Sequence, residues 1–539
     1  MNRTWYALLF ALIAIVYALV AIEAARCEYQ LVNDYIAFSM IRIGAWPSSI
    51  VRSIFDLTAP GAWLYRPLPD AMAWLFATLF RAHPGAWHVV LIAVRLVSVG
   101  LAFAIAKETA ASSAATAAGV AYFAFFAAIP EIDLLRAENW LIPALAAAFL
   151  GWLRLSRRGD GAVGWTVIAF VAATMSKEIA APLTLALFVL LAPLLWRRGG
   201  VARMAVAVML AALLNQIARC VLMLSDPYAR GSGSLLDRLL PNAFWTAKVL
   251  LFAATSFPLL SVLLAALLAL GGITLVRRSK GAALLLALSI GMAVAAPYPA
   301  LRYAYPAALF LVPCVSLGVD ELRRLASTRI ADAAAAIAIV LLAIFGGASL
   351  WAQAAAMRAS SRADWRLLHE VAGAFASGRD VVVIEDPDFE RSFWIRAELV
   401  GVDPRWPFLS YVAKQYAEQK PVVWPKPPAG PVNLTRRVPA VPNARFLTAP
   451  KAVAGDALVI PANPTNSEDR SAFARFARLL NPRFHYAVDL GESPYPGHYW
   501  TILSSNRRIS RAGFPPTSVN GGTSRVTTDA AATTAPRPR

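Results

Sequence analysis

Cysteine, histidine and charged side chains are all scarce in this chain of 539 residues. The three cysteines, Cys27, Cys220 and Cys314, are scattered without metal-ligand spacing, and His83 and His88 do not make a convincing metal pair. This pattern excludes a disulfide framework and indicates no thiol chemistry. The chain also lacks a P-loop and a dinucleotide-binding glycine fingerprint, so it shows no sign of nucleotide or redox-cofactor binding.

The low charge content is matched by an excess of apolar residues. Apolar residues make up 58% and charged residues 15% of the chain, whereas soluble domains have about 45–50% and about 25%. The mean hydropathy is +0.55. Such values exclude an ordinary soluble or disordered protein.

The apolar residues form about eleven runs of a length suited to crossing a bilayer. The runs are residues 5–22, 87–106, 110–129, 140–155, 163–175, 179–196, 201–224, 246–276, 281–297, 303–320 and 330–352. The first lacks a clean cleavage site and is interpreted as an uncleaved membrane helix. The longest, 246–276, contains Pro258, where we expect a kink. The sequence therefore predicts an all-α polytopic membrane protein with about eleven transmembrane helices.

The formal net charge of +19 comes from basic residues at the ends of these runs. This placement is typical of membrane topology signals and not of nucleic-acid binding. If Arg3 stays inside, nearly all short basic loops fall on that side, with an odd number of spans. The first loop, about 23–86, and the C-terminal part then lie outside. Because the composition is typical of a high-GC bacterium, we predict a multi-pass protein of the bacterial inner membrane with an extracytoplasmic C-terminal domain.

The composition changes after Trp351, which predicts three parts. Residues 1–352 form the transmembrane domain, residues 353–505 an extracytoplasmic α+β domain, and residues 506–539 a disordered basic tail. Apolar or alternating segments predict strands in the second part. These segments are Val381–Glu385, Ala457–Pro461, His485–Leu490 and Tyr499–Ser504.

Charged side chains recur at the predicted outer ends of the membrane helices, although charge near a bilayer is costly. Cations there suit a phosphate group, and carboxylates suit a general base or a divalent cation. In chain order these groups are Asp34, Arg66, Glu131, Asp133, Arg136, Glu138, Lys177, Glu178 and Arg302. The residues predict a site for an anionic lipid head group. Each of them also has a structural interpretation, as a solvated loop charge, a helix-end pair or a snorkelling arginine.

The order of these elements resembles the GT-C class of integral-membrane glycosyltransferases, such as protein O-mannosyltransferases and aminoarabinose transferases. The elements are Asn33-Asp34-Tyr35, Tyr65-Arg66-Pro67-Leu68, the acidic loop Pro130–Asn139, Ser176-Lys177-Glu178, and Arg302-Tyr303 followed by Tyr305-Pro306. They cover about residues 1–350. Many relatives have two adjacent acids where this chain has Asn33-Asp34, and the histidine that some have near the second-loop acids is missing here.

The resemblance implies a glycosyltransferase that moves a sugar from a polyprenyl-phosphate carrier to an acceptor hydroxyl outside the membrane. It makes Asp34 the catalytic base and Lys177 and Arg302 the ligands of the donor phosphate, with Arg66 and Arg136 as weaker candidates. The acceptor-assisting or ion-assisting residues would be Glu131, Asp133, Glu138, Glu178, Tyr303 and Tyr305. The acceptor would be a glycan, a lipid or a protein. The need for a divalent cation stays open, and no other cofactor is implied.

Other functions remain open at this point. A transporter or lipid flippase would have charges near the bilayer midplane. A cluster of Asn215, Gln216 and Arg219 at that depth would favour this function. A non-catalytic scaffold would present residues 360–505 and need no cavity beside the first outside loop. A glycan ligase or polymerase is a neighbouring chemistry that the residues barely separate from the first interpretation.

Overall fold

A computed structural model of the protein describes the helices and strands and the short turns that join some of them. The described residues are 3–27, 66–80, 84–126, 137–157, 163–225, 235–252, 257–296, 301–376, 381–384, 444–447, 458–461, 486–492, 499–504 and 526–528. The chain divides into two compact units. The first contains residues 1–25, 47–75 and 86–355, and the second contains residues 26–46, 76–85 and 356–539.

Fourteen α-helices are found among the described residues, and most of them belong to the first unit. They are α1 Arg3–Ala24, α2 Pro67–Phe80, α3 Pro84–Thr109, α4 Ser113–Ala124, α5 Glu138–Arg157, α6 Val163–Thr174, α7 Ala181–Trp196, α8 Gly200–Ser225, α9 Leu235–Leu250, α10 Pro258–Arg278, α11 Lys280–Val294, α12 Leu301–Leu325, α13 Thr328–Leu341 and α14 Gly347–Ala376. A 3-10 turn, Glu178–Ala180, precedes α7, and a π-helical turn, Leu342–Gly346, joins α13 to α14.

Helix starts follow local rules that are readable in the sequence. Three helices begin at a proline, which suits the first turn because its N–H has no partner there. Three others are capped by a serine whose hydroxyl accepts a hydrogen bond from a backbone N–H two residues into the helix. The caps are Ser112 to Ala115 at 3.2 Å, Ser279 to Ala282 at 3.3 Å and Ser327 to Ile330 at 3.3 Å.

Helix α12 lies at the centre of the first unit and is buried along almost all its length. Small residues allow α10 to approach it closely. A Cβ added at Gly271 would lie 1.7 Å from the carbonyl oxygen of Cys314, and one added at Gly318 would lie 2.1 Å from that of Leu267. The two backbones are therefore in direct contact, as is typical where small residues line a membrane-helix interface.

Seven helical segments among the described residues are long and apolar enough to cross a membrane, and three shorter apolar helices accompany them. The protein is a multi-pass membrane protein. Each of the eleven predicted apolar runs contains a helix. That the shorter helices also cross the bilayer stays a prediction.

The long run 246–276 differs from its prediction. It comprises the end of α9 and most of α10, because α9 ends at Leu250 and α10 begins at Pro258. Phe252, just after α9, has a φ of 54°, which a helix cannot continue through. Pro258 begins a helix at its preferred first position instead of kinking one.

The strands belong to the second unit and form one six-stranded sheet of order β2-β1-β3-β5-β4-β6. They are β1 Val381–Ile384, β2 Ala444–Leu447, β3 Leu458–Pro461, β4 Tyr486–Glu492, β5 Tyr499–Ser504 and β6 Val526–Thr528. Strand β1 pairs in parallel with β2 and β3, and the other pairings are antiparallel. Strands lie in all four segments where the sequence predicts them. The α+β class of residues 353–505, the domain boundaries, the side of the membrane and the disorder of residues 506–539 remain predictions.

Candidate functional site

The Ser176-Lys177-Glu178 element lies in the turn between α6 and α7, where hydrogen bonds hold its backbone. The hydroxyl of Ser176 donates to the carbonyl of Ala172 at 2.7 Å. The side-chain amide of Gln216, on α8, donates to the carbonyl of Lys177 at 2.7 Å, and its oxygen accepts from the hydroxyl of Thr184 at 2.5 Å. This backbone is therefore anchored to three helices, which fixes the point from which the Lys177 side chain extends.

Two ion pairs with buried carboxylates flank this turn. The ammonium of Lys177 pairs with a carboxylate oxygen of Glu138, the first residue of α5. The guanidinium of Arg66, just before α2, lies 3.3 Å from Oε1 of Glu178. Both carboxylate side chains are only 3% exposed, whereas Arg66 is 30% exposed. These pairs are not readable from the sequence, because their members are far apart along the chain.

The ring of Tyr303 joins a third cation to this group. The ammonium of Lys177 lies 5.1 Å from the ring centroid, and the guanidinium carbon of Arg302 lies 5.2 Å from it. Both distances are typical of cation–π contacts, in which the electron-rich ring face attracts a positive charge. The first turn of α12 thus places Arg302 against the same ring that Lys177 contacts. We call these six residues, Arg66, Glu138, Lys177, Glu178, Arg302 and Tyr303, the Lys177 cluster.

The Lys177 cluster holds three cations and two carboxylates, which leaves one formal positive charge in excess. Charges buried away from water interact more strongly than exposed ones. Lys177 and Arg302 are donors of the kind that bind phosphate oxygens as charge-assisted hydrogen bonds. Such an arrangement can hold an anionic group and stabilise negative charge that develops on it.

Tyr305 contacts a different group of residues. It is 2% exposed, its ring stacks on Phe123 with centroids 5.5 Å apart, and the guanidinium of Arg95 lies 4.5 Å from its centroid. The structure thus separates Tyr303 from Tyr305, which the sequence groups as one motif. Arg95 is not among the predicted site residues, and its only signal in the sequence is a charge within an apolar run.

The predicted catalytic base and part of the acidic loop lie outside the described residues. These residues are Asp34, Glu131, Asp133 and Arg136. Their predicted roles stay predictions. Among the described residues no group of three His, Cys, Asp or Glu side chains could hold a metal ion.

The three polar residues of α8 that would indicate a transporter lie in the second half of that helix. Gln216 is fully buried and holds the backbone of Lys177, as described above. The guanidinium of Arg219 lies 3.4 Å from the side-chain oxygen of Asn215. Gln216 therefore holds the backbone from which the Lys177 side chain extends. Its sequence predicts no such role.

Comparison with known proteins finds structures of similar fold but no relative by sequence. No protein-family model matches the chain, and no curated protein sequence matches it. A solved structure of ArnT from Cupriavidus metallidurans bound to undecaprenyl phosphate is similar, with a TM-score of 0.50 and 13% identity over 94% of this chain and 99% of that one.

Two further solved structures score lower. The apo state of the same ArnT has a TM-score of 0.48 at 13% identity, over 94% of this chain and 99% of that one. The Archaeoglobus fulgidus oligosaccharyltransferase, in complex with Zn and sulfate, has 0.41 at 12% identity, over 90% of this chain and 72% of that one. The likeness to ArnT shows that the chain has the fold of the GT-C class of glycosyltransferases.

Proposed function

We propose that this protein is a membrane glycosyltransferase that transfers a sugar from a polyprenyl-phosphate carrier to an acceptor hydroxyl at the extracytoplasmic face. The observation that carries the proposal is the Lys177 cluster, in which Lys177 and Arg302 both contact the ring of Tyr303. The GT-C fold and the polyprenyl phosphate bound in the similar ArnT structure support this choice of donor.

The proposed reaction is a single displacement at the anomeric carbon of the sugar. Asp34 accepts the proton of the acceptor hydroxyl, and the hydroxyl oxygen forms a bond to the anomeric carbon. The bond between that carbon and the phosphate oxygen breaks, and the electron pair leaves with the lipid phosphate. Lys177 and Arg302 neutralise the charge that develops on this leaving group.

The first test is a transfer assay with the full chain in lipid nanodiscs. It uses a panel of radiolabelled polyprenyl-phosphate sugars together with membrane extract as the source of acceptors. We expect label to move to an acceptor with the wild type and not with Asp34→Asn. The matched control is Asp332→Asn, which makes the same change in an ion pair with Arg323 between α12 and α13. Transfer by Asp34→Asn near the wild-type rate would remove Asp34 as the base.

The same assay separates a flippase from a transferase. A flippase would bind the polyprenyl phosphate and move it between leaflets without breaking the bond to the sugar. A wild type that binds the labelled donor and leaves it intact with every acceptor extract would contradict the proposed transfer.

A further inference from the structure

Arg95 is a charged side chain held inside the first unit, in the middle of the apolar helix α3. It is only 6% exposed. Arginine in a membrane segment is costly and usually marks a functional arrangement. Because Arg95 is buried among protein groups, it acts through its neighbours and not by touching a substrate.

The guanidinium of Arg95 caps the end of α4. Its Nη2 donates to the carbonyls of Phe123 at 3.3 Å and Phe126 at 2.9 Å, in the last turn and just beyond it. The hydroxyl of Tyr17, on α1, donates to the neighbouring carbonyl of Ala124 at 2.8 Å. The final carbonyls of a helix have no partners within the helix, and a cation there is favoured by the helix dipole.

The same guanidinium holds the first turn of α12. It lies over the ring of Tyr305 at 4.5 Å, and its Nε donates to the hydroxyl of Tyr17 at 3.0 Å. Residues two apart on a helix project about 200° from each other, so Tyr303 and Tyr305 point to nearly opposite sides of α12. Tyr303 contacts Lys177 on one side, and Tyr305 contacts Arg95 on the other.

This turn of α12 needs support from outside the helix. Pro306 follows Tyr305 and has no N–H, so it cannot donate to the carbonyl of Arg302 four residues earlier. The backbone of the turn therefore lacks one of its hydrogen bonds at the point where Arg302 and Tyr303 are placed.

We propose that Arg95 is a positioning residue that sets the first turn of α12, and with it Arg302 and Tyr303, against Lys177. It does so by binding the last carbonyls of α4 and the ring of Tyr305 with one planar, forked cation. Lysine is a poor replacement, because its compact ammonium lacks the planar fork of donors and the flat face that stacks on a ring.

The test compares Arg95→Lys with Leu195→Ala, a core variant near the end of α7 in which a fully buried side chain is truncated. The two variants are first matched by their loss of thermal stability. Hydrogen–deuterium exchange in nanodiscs then follows two groups of amides. Residues 122–126 form the end of α4, and residues 307–310 donate to the carbonyls of the first turn of α12. We expect faster exchange there in Arg95→Lys alone, with residues 317–320 unchanged in both variants.

A second readout measures binding of unlabelled polyprenyl phosphate and rests on the proposed function. We expect Arg95→Lys to weaken binding about tenfold or more, because small misplacements of binding groups are costly. Leu195→Ala should bind like the wild type. Unchanged exchange, or wild-type affinity in Arg95→Lys, overturns the inference. If the wild type itself binds no polyprenyl phosphate, the proposed donor is wrong, and exchange alone decides the role of Arg95.

Discussion

At the scale of single residues, the carboxylates of the Lys177 cluster compete for the cations that would bind a donor. Glu138 occupies the ammonium of Lys177, and Glu178 occupies Arg66. A phosphate that binds Lys177 has to displace Glu138 or share the ammonium with it. Removing one partner of a buried pair also leaves the other without compensation, which lowers stability.

Glu138→Gln should therefore have opposite effects on stability and on donor binding. We expect a lower melting temperature and an affinity for polyprenyl phosphate that rises by up to about tenfold, because close charge pairs couple by a kcal/mol or more. Isothermal titration in nanodiscs measures the affinity. Asp332→Asn, in the ion pair with Arg323, should leave that affinity unchanged. Weaker binding by Glu138→Gln would show that the carboxylate helps to hold the donor.

Lys177→Gln should remove the donor contact itself. We expect a loss of affinity for polyprenyl phosphate of at least about tenfold, since hydrogen bonds to charged groups are worth about 1.5–3 kcal/mol. Lys107→Gln is the matched control, because Lys107 also lies over an aromatic ring. Its ammonium is 5.5 Å from the ring centroid of Phe103, in the last turn of α3. Equal affinities in the two variants would exclude Lys177 as a phosphate ligand.

At the scale of elements, the contact between α10 and α12 depends on glycine. Gly271→Ala would place a methyl group 1.7 Å from the backbone of Cys314, and backbone atoms cannot move aside as a flexible side chain can. We expect a loss of about 1–3 kcal/mol from overpacking, seen as a lower melting temperature in detergent. Gly272→Ala is the matched control, because nothing lies within 4 Å of its added Cβ. If both variants melt alike, the two helices are not in close contact.

The helices are the elements that sequence patterns predict well, because an apolar run and a capping residue act locally. Every predicted apolar run contains a helix, and Ser112, Ser279 and Ser327 mark three of the starts. The run 246–276 was wrong as a single kinked helix, because hydropathy averages across the break between Leu250 and Pro258. Hydropathy reports residue type and not backbone conformation.

At the scale of the whole molecule, the basic loops predict the orientation in the membrane. With Arg3 inside, the loop at Ser279 should be cytoplasmic and the C-terminus extracytoplasmic. An alkaline phosphatase fusion, which is active only outside the cytoplasm, should be inactive at Ser279 and active at the C-terminus. The reverse pattern would invert the topology and place the Lys177 cluster on the cytoplasmic side.

The sequence by itself determined that this is a multi-pass membrane protein and named most of the charged residues at its candidate site. These properties follow from composition and from the hydropathy of single segments, which depend only on residues that are neighbours in the chain. Only the tertiary structure decided which charges meet: Lys177 with Glu138, Arg66 with Glu178, and Arg95 with Tyr305. Each pair joins segments far apart in sequence. Its geometry depends on how helices pack, and on close approaches such as that at Gly271, which no local pattern contains.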